Sequence, residues 1–370
     1  MNLQKSPPLM HRWKKEWGLL VSYGTTAAFL LDKDLLNDDP GALGGILLFV
    51  WLFVVMLMAS FSVLRHADHL AEKLKEPLGT LILTLAVTSI EVLMISALML
   101  HGNNPALARD TMFSVVMVVL GGLLGIVLLT GGLKFSEQNF NLKGVNSFLG
   151  LILPLSLFSL VLPNFTHSGG TGMFSTLHAV SLILMSLIIY GVFLAVQTRV
   201  HQGFFNEAGW SPNSSEKTDA HEPIWMDSVF LILHLIPIVL LSKQLAHLLD
   251  FVVHKNGLPI DLVGMVVAIL ILAPEGLAAI QSASRNQMQR SINVLLGSVL
   301  ATISLTVPAA LAISVIYGKP LLLGLSPTYT TLLAVTLGSC VVTFGQGQTN
   351  ILQGFVHLLL FAAYIVLMFD

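Results

Sequence analysis

LGTLILTLAVTSIEVLMIS, residues 78–96, is an apolar run long enough to cross a lipid bilayer, and it carries Glu91 near its middle. A carboxylate near the centre of a membrane helix costs about 2.5–3.5 kcal/mol on insertion scales, so such residues usually have a function. A second apolar run, LVGMVVAILILAPEGLAAI from residue 262, carries Glu275, and in both stretches the glutamate is the fourteenth residue. The shared position of a rare intramembrane acid indicates that the chain contains two related halves.

The composition is that of a membrane protein, because 55% of the residues are hydrophobic and only 10% are charged, against about a quarter charged in soluble domains. Apolar runs of about 20 residues, each able to span the hydrocarbon core, recur along the whole chain. They predict an all-α polytopic membrane protein with about eleven transmembrane helices: 17–31, 41–64, 78–100, 111–133, 147–163, 176–198, 225–242, 260–281, 291–316, 328–344 and 350–369.

The longest polar connection, residues 201–223, separates five predicted helices (spans two to six) from five that follow it. An odd number of helices in each half requires the halves to enter the membrane from opposite sides, which is the inverted-repeat plan of many secondary transporters. We therefore expect an N-terminal segment with a leading helix (1–40), a first repeat (41–199), a cytoplasmic polar linker (200–224) and a second repeat (225–370).

Lysine and arginine set the predicted orientation, because cytoplasmic loops retain positive charge. If the N-terminus is cytoplasmic, the inner segments carry thirteen Lys and Arg residues and the outer segments carry five. This asymmetry predicts a multi-pass protein of the bacterial inner membrane with a cytoplasmic N-terminus and a periplasmic C-terminus. Asp32, Lys33 and Asp34 follow the first apolar run where a cleavage site would need small residues, so that run is expected to be a retained helix.

Two polar stripes accompany the glutamates and indicate a cation-binding site. The first consists of Thr80, Thr84 and Thr88, which lie with Glu91 on one face of a helix because they are three or four residues apart. The second lies in the ninth span and consists of Ser298, Thr302 and Thr306. Hydroxyl and carboxylate oxygens are the hard ligands that Na⁺ and Ca²⁺ prefer. Packing and hydrogen bonding between helices is the alternative interpretation of these Ser and Thr residues.

Glu91 and Glu275 are the predicted ligands of both the metal cation and the proton. Burial disfavours the charged form of a carboxyl, so one site can hold either a proton or a cation. If the site is exposed alternately to the two sides, this competition produces obligatory exchange. Pro274, directly before Glu275, indicates either a helix break that frees a carbonyl for coordination or a plain kink.

Several other functions are disfavoured by the sequence. A net charge of −2 gives no basis for nucleic-acid binding, and the single Cys340 forms no intrachain disulfide and is expected in the core. Neither a P-loop nor a hydrolase motif is present, so we expect no catalytic residues, no enzymatic activity and no cofactor apart from the transported ions. A passive cation channel is the main alternative, and an intramembrane enzyme is a weaker one. The histidines in the spans, His178, His234 and His357, either relay protons or pack as neutral residues.

The stretches VLRHADHLAEKLKEPLGTLILTLAVTSIEVLMISALM, LILAPEGLAAI, NQMQRSINVLLGSVLATISLTVP and HLLLFAAYIVLMF resemble the cation/proton exchanger branch of the cation/Ca²⁺ exchanger superfamily. The resemblance covers most of the chain. It implies an eleven-helix antiporter of the bacterial inner membrane, with Glu91 and Glu275 as ion-binding and proton-exchanging acids. Typical Ca²⁺ exchangers of this branch carry Gly-Asn-Ala near each acid, whereas this chain has VTSIE and ILAPE. Fewer strong ligands argue against tight selectivity for Ca²⁺ and favour transport of Na⁺ or K⁺ as well. Its partners are then small cations and the lipid bilayer, and the sequence leaves its oligomeric state open.

Overall fold

The computed structural model describes residues 16–31, 41–74, 78–101, 104–205 and 224–370. Across these residues the protein is almost entirely helical. The helices are α1 (Trp17–Leu31), α2 (Gly41–Leu74), α3 (Leu78–His101), α4 (Leu107–Met117), α5 (Leu124–Phe135), α6 (Leu142–Leu160), α7 (Thr176–Ala195), α8 (Ile224–Asn256), α9 (Asp261–Ser284), α10 (Met288–Ala301), α11 (Val307–Tyr317), α12 (Pro327–Thr343) and α13 (Ile351–Leu367).

Among the described residues, two π-helical stretches join neighbouring α-helices into longer segments, and a third lengthens one helix. Val118–Leu123 joins α4 to α5, Thr302–Thr306 joins α10 to α11, and Val196–Val200 extends α7. Counted in this way, the described residues form eleven helical segments. Seven of them are long and apolar enough to cross a membrane, and the other four contain shorter apolar helices. The predicted all-α polytopic fold is therefore confirmed.

Two helices are much longer than their apolar runs predict. Helix α2 continues ten residues past the predicted end at residue 64, and α8 continues to Asn256 instead of residue 242. The extension of α2, RHADHLAEKL, consists mostly of good helix formers, so the helix continues after hydrophobicity has fallen. Gly257 follows α8 with a φ of +63°, a left-handed conformation that ends many helices.

The chain forms two compact units. The first consists of the described parts of Met1–Ile90 and Ser211–Gly257, and so contains α1, α2, α8 and the first half of α3. The second consists of the described parts of Glu91–Trp210 and Leu258–Asp370. Each unit draws on both predicted repeats, and the division of the sequence into 1–40, 41–199, 200–224 and 225–370 remains a prediction. Residues 206–223 of the predicted linker lie outside the described residues.

The core of the second unit is built around the continuous segment α4–α5. Almost every side chain from Ala108 to Leu128 is buried. Gly121 and Gly125 let α13 approach closely, because a Cβ at Gly125 would lie 2.8 Å from the side chain of Leu358 and a Cβ at Gly121 would lie 3.1 Å from Cβ of Phe361. The small-residue spacing thus marks a close helix contact. Cys340 is a buried free thiol.

The loops that precede α6 and α13 pair with each other through a two-residue antiparallel ladder that the sequence did not predict. β1 (Gln138–Asn139) pairs with β2 (Gln348–Thr349), with Gln138 opposite Thr349. Asn350 then begins α13 with a reciprocal capping arrangement. Its side chain accepts a hydrogen bond from the backbone amide of Gln353, and the Gln353 side chain accepts one from the backbone amide of Asn350. Paired caps of this kind satisfy amides that a helix start leaves open.

Candidate cation-binding site

Glu91 lies in α3 and is only 4% exposed. Its Oε2 accepts a 2.9 Å hydrogen bond from Oγ1 of Thr302, and Thr306 lies beside the same carboxyl. Both threonines belong to the π-helical turn between α10 and α11. A carboxyl from the first half of the sequence therefore accepts a hydrogen bond from a threonine hydroxyl of the second half.

The other oxygen of this carboxyl provides a place for a positive charge. Oε1 of Glu91 is buried and has no hydrogen-bond partner among the described residues. A buried oxygen without a hydrogen-bond partner destabilises the folded protein, and the cost is larger when the group is charged. A bound proton or metal cation would satisfy the oxygen, and this is the chemistry that the sequence predicts for Glu91.

Glu275 is half-buried in α9 and lies near enough to Glu91 for its charge to act on that carboxyl. The structure thus brings the two sequence-matched glutamates into one electrostatic environment. Two like charges in an apolar region repel each other unless a proton or a cation lies between them. Pro274 lies inside α9 without ending the helix, so the helix is not broken there, and the kink stays a prediction.

The supporting hydroxyls differ in position. Thr302 contacts Glu91 directly, whereas Ser298 is half-buried one turn earlier and its carbonyl accepts a 3.1 Å hydrogen bond from Oγ1 of Thr302. Thr88 is buried three residues before Glu91 on α3. The side chain of Thr84 lies outside the described side chains. Among these predicted supporting residues, Thr302 is thus the one with a direct, described hydrogen bond to Glu91, and the roles of Ser298, Thr84 and Thr88 stay predictions.

The π-helical geometry is the feature of the site that the sequence interpretation missed. The stripe Ser298, Thr302, Thr306 was expected to follow α-helical spacing, but Thr302–Thr306 form a π-helical turn. A signal was available in Pro308, because its missing N–H cannot donate to the carbonyl four residues earlier. The corresponding helix of the first half carries its own π-helical stretch at Val118–Leu123, and single π turns often occur at functional sites.

His357 and His178 both make hydrogen bonds that suit a packing role. Buried His357 places Nδ1 2.6 Å from the carbonyl oxygen of Leu120 and Nε2 2.9 Å from Oγ1 of Thr343. A neutral imidazole satisfies this pair, because it donates from one nitrogen and accepts at the other. Exposed His178 lies in the first turn of α7, with Nδ1 3.0 Å from Oγ of Ser175. His234 belongs to a separate polar cluster described below.

The described residues form eleven helical segments, which carry the buried Glu91 bonded to Thr302 and the half-buried Glu275. These features define a polytopic membrane protein of the ion-transport class. A sequence profile of the sodium/calcium exchanger protein family matches residues 44–199 and 227–369. The chain therefore belongs to the sodium/calcium exchanger protein family.

Three similar proteins extend this comparison. The chain is 41% identical to the sodium-potassium/proton antiporter ChaA of Escherichia coli, covering 85% of this chain and 86% of that protein. It is 40% identical to the putative ionic transporter y4hA of Sinorhizobium fredii, covering 84% and 85% respectively. The solved structure of the selenium-substituted Ca²⁺/H⁺ antiporter protein YfkE matches with a TM-score of 0.73 at 18% identity, covering 96% of this chain and 99% of that one. The fold is thus that of a multi-pass helical membrane protein.

Proposed function

We propose that this protein is a secondary active antiporter that exports Na⁺, K⁺ or Ca²⁺ from the cytoplasm in exchange for H⁺. The observation that carries this proposal is the buried Glu91 carboxyl, which accepts a hydrogen bond from Thr302 at one oxygen and keeps the other oxygen for a ligand. The names of the relatives support it, because the Escherichia coli protein is a sodium-potassium/proton antiporter and YfkE is a Ca²⁺/H⁺ antiporter.

Competition between protons and cations at Glu91 and Glu275 gives the exchange. A cation entering from the cytoplasm binds the two carboxylates and displaces the protons that neutralised them. After the site opens to the opposite side, protons bind the carboxylates and the cation leaves. An empty pair of like charges in an apolar region is costly, so the site changes its exposure only when it holds one ligand or the other.

The ligand set favours modest discrimination between cations. Two carboxylates supply charge for a divalent ion, and the hydroxyl of Thr302 supplies a neutral oxygen. VTSIE and ILAPE carry no amide side chain next to either acid. Na⁺ and K⁺ need fewer strong ligands than Ca²⁺, and their transport is consistent with this set.

The orientation follows from the distribution of positive charge. We assign the N-terminus to the cytoplasm and the C-terminus to the periplasm, because thirteen of the eighteen Lys and Arg residues then lie in inner segments. Cations therefore enter the site from the side that carries most of the basic residues, and protons enter from the periplasmic side.

Ion flux through the purified protein tests the function. The full chain is reconstituted into proteoliposomes that contain a pH-sensitive dye, and Na⁺, K⁺ and Ca²⁺ are added in turn with the membrane potential clamped. Proton movement that requires an added cation and saturates with its concentration is the expected result. Cation flux that follows the membrane potential without proton movement would instead identify a channel, and absence of both fluxes would contradict transport by this chain.

A further inference from the structure

A second cluster of ionisable residues lies within the first compact unit and is not used by the mechanism above. Glu16 directly precedes α1, His66 lies in α2 and His234 lies in α8. The three side chains are buried, with exposed fractions of 8%, 4% and 0%. Three separate segments of the chain thus place a carboxylate and two imidazoles together in the interior of one unit.

The three side chains point their ligand atoms at one another. Nε2 of His234 lies 3.1 Å from Oε2 of Glu16, and Nε2 of His66 lies 3.5 Å from Oε1 of the same carboxylate. All three ligand atoms lie within 4.8 Å of one another. Two imidazole nitrogens and one carboxylate oxygen are a common protein ligand set for Zn²⁺, which takes a water as its fourth ligand.

Neighbouring residues orient two of the three ligands, His66 and Glu16. Nδ1 of His66 lies 3.0 Å from Oδ1 of Asp227, so the carboxylate fixes the imidazole with Nε2 facing Glu16. Histidines that bind metals almost always have such a partner on the other ring nitrogen. Arg65 donates from Nη2 to both oxygens of Glu16 at 2.7 Å, and this contact holds the carboxylate in place while leaving further lone pairs for a cation.

We propose that Glu16, His66 and His234 form a binding site for a transition-metal ion of the Zn²⁺ class. Imidazole nitrogens select Zn²⁺ and its neighbours over Na⁺, K⁺ and Ca²⁺, which prefer oxygen ligands. The site is thus chemically distinct from the transport site at Glu91 and Glu275. A bound ion links the residue before α1 to α2 and α8, and so stabilises the first unit.

An overlapping group of possible ligands, His66, His69 and Asp227, is the weaker candidate. The side chain of His69 is 46% exposed, so one of the three ligands in this group is open to solvent. In the Glu16 triad all three ligands are buried and come from three different segments. We therefore assign the ion to Glu16, His66 and His234, with Asp227 as a positioning residue.

Metal binding to the purified full chain tests this assignment. The protein in detergent is stripped with a chelator and titrated with Zn²⁺ by calorimetry, in a Glu91→Gln/Glu275→Gln background that removes the transport site. One Zn²⁺ per chain is expected. Its affinity should fall at least tenfold in His66→Gln and in His234→Gln, fall less in Asp227→Asn, and stay unchanged in His69→Gln. His178→Gln is the matched control, because that histidine is exposed and lies outside the cluster. Equal Zn²⁺ affinity in the parent protein, His66→Gln and His234→Gln would overturn the proposal, as would loss of binding in His69→Gln alone.

A second measurement needs no substitution in the cluster and so is independent of how the variants fold. Co²⁺ replaces Zn²⁺ in such sites, and its visible absorption distinguishes a tetrahedral site from a hydrated octahedral ion. Intense visible bands that disappear when Zn²⁺ is added are expected for the same Glu91→Gln/Glu275→Gln protein. The weak spectrum of octahedral Co²⁺, unchanged by Zn²⁺, would show that the cluster is a hydrogen-bonded ion-pair network and not a metal site.

Discussion

Thr302 and Glu91 are 211 residues apart in sequence, yet the threonine hydroxyl donates a 2.9 Å hydrogen bond to the buried carboxylate. The contact joins the second helix of the first predicted repeat to the third helix of the second one. The two carboxylate oxygens also have different surroundings. Oε2 is hydrogen-bonded to the protein, and Oε1 has no hydrogen-bond partner among the described residues. Our proposal for ion exchange rests on this asymmetric environment.

Removal of the Thr302 hydroxyl should weaken cation binding. A hydrogen bond to a charged group contributes about 1.5–3 kcal/mol, and about 1.4 kcal/mol corresponds to a tenfold change in affinity. Thr302→Val keeps the shape of the side chain but loses the donor, so the cation concentration for half-maximal proton movement should rise about tenfold or more. Thr302→Ser keeps the donor and should stay near the parent value. If the valine variant transports as the parent does, the hydroxyl has no role in binding.

Thr88 tests whether the stripe on α3 binds cations or packs. Thr88→Ala should lower cation affinity in the proteoliposome assay more than it lowers the yield of folded protein, because a ligand oxygen contributes to binding while a packing hydroxyl contributes to folding. Ser89→Ala is the control, since Ser89 is the next residue on the helix and its hydroxyl bonds to the carbonyl of Leu85. Equal losses of affinity and yield in Thr88→Ala would support the packing interpretation.

Gly125 tests the close approach of α13 to the buried segment α4–α5. An added methyl group would lie 2.8 Å from the Leu358 side chain and 3.0 Å from its backbone nitrogen. Overpacking of this kind costs about 1–3 kcal/mol, so Gly125→Ala should lower the thermal unfolding temperature in detergent. Gly150→Ala should not, because a Cβ at that helical position meets nothing within 4 Å. The account of this helix contact is wrong if both variants unfold at the same temperature.

The orientation can be tested by labelling with a membrane-impermeant maleimide, because the single native Cys340 is buried. His167 and Glu137 are both exposed, and they lie in connections that we assign to opposite sides of the membrane. His167→Cys should react in intact cells, whereas Glu137→Cys should react only after the inner membrane has been opened. The reverse pattern would show that the topology is inverted.

The sequence predicted the helical segments, and it singled out the two glutamates, because both depend on strong signals. Membrane helices must bury their backbone in long apolar runs, and a carboxylate within such a run is rare enough for two matching positions to be informative. The ends of α2 and α8 were placed too early, because hydropathy falls at the first charged residue while the helix continues. Helix propensity describes that region better than hydropathy does.

The π-helical turn at Thr302–Thr306 and the Glu16 cluster could not be derived from the sequence. A π turn changes the register by one residue and leaves almost no compositional trace apart from a nearby proline. Glu16, His66 and His234 are distant in the chain, and each alone is best explained by packing or solvent exposure. Only the three-dimensional structure brings them within ligand distance of one another.

Substitution of the paired acids tests the central proposal most directly. Glu91→Gln and Glu275→Gln keep the size of each side chain but cannot bind or release a proton in the transport cycle. Cation-dependent proton movement in proteoliposomes should be abolished in both variants, with yield, thermal unfolding temperature and membrane insertion close to those of the parent. Full exchange in either variant would contradict the assignment of Glu91 and Glu275 as the shared binding site for protons and cations.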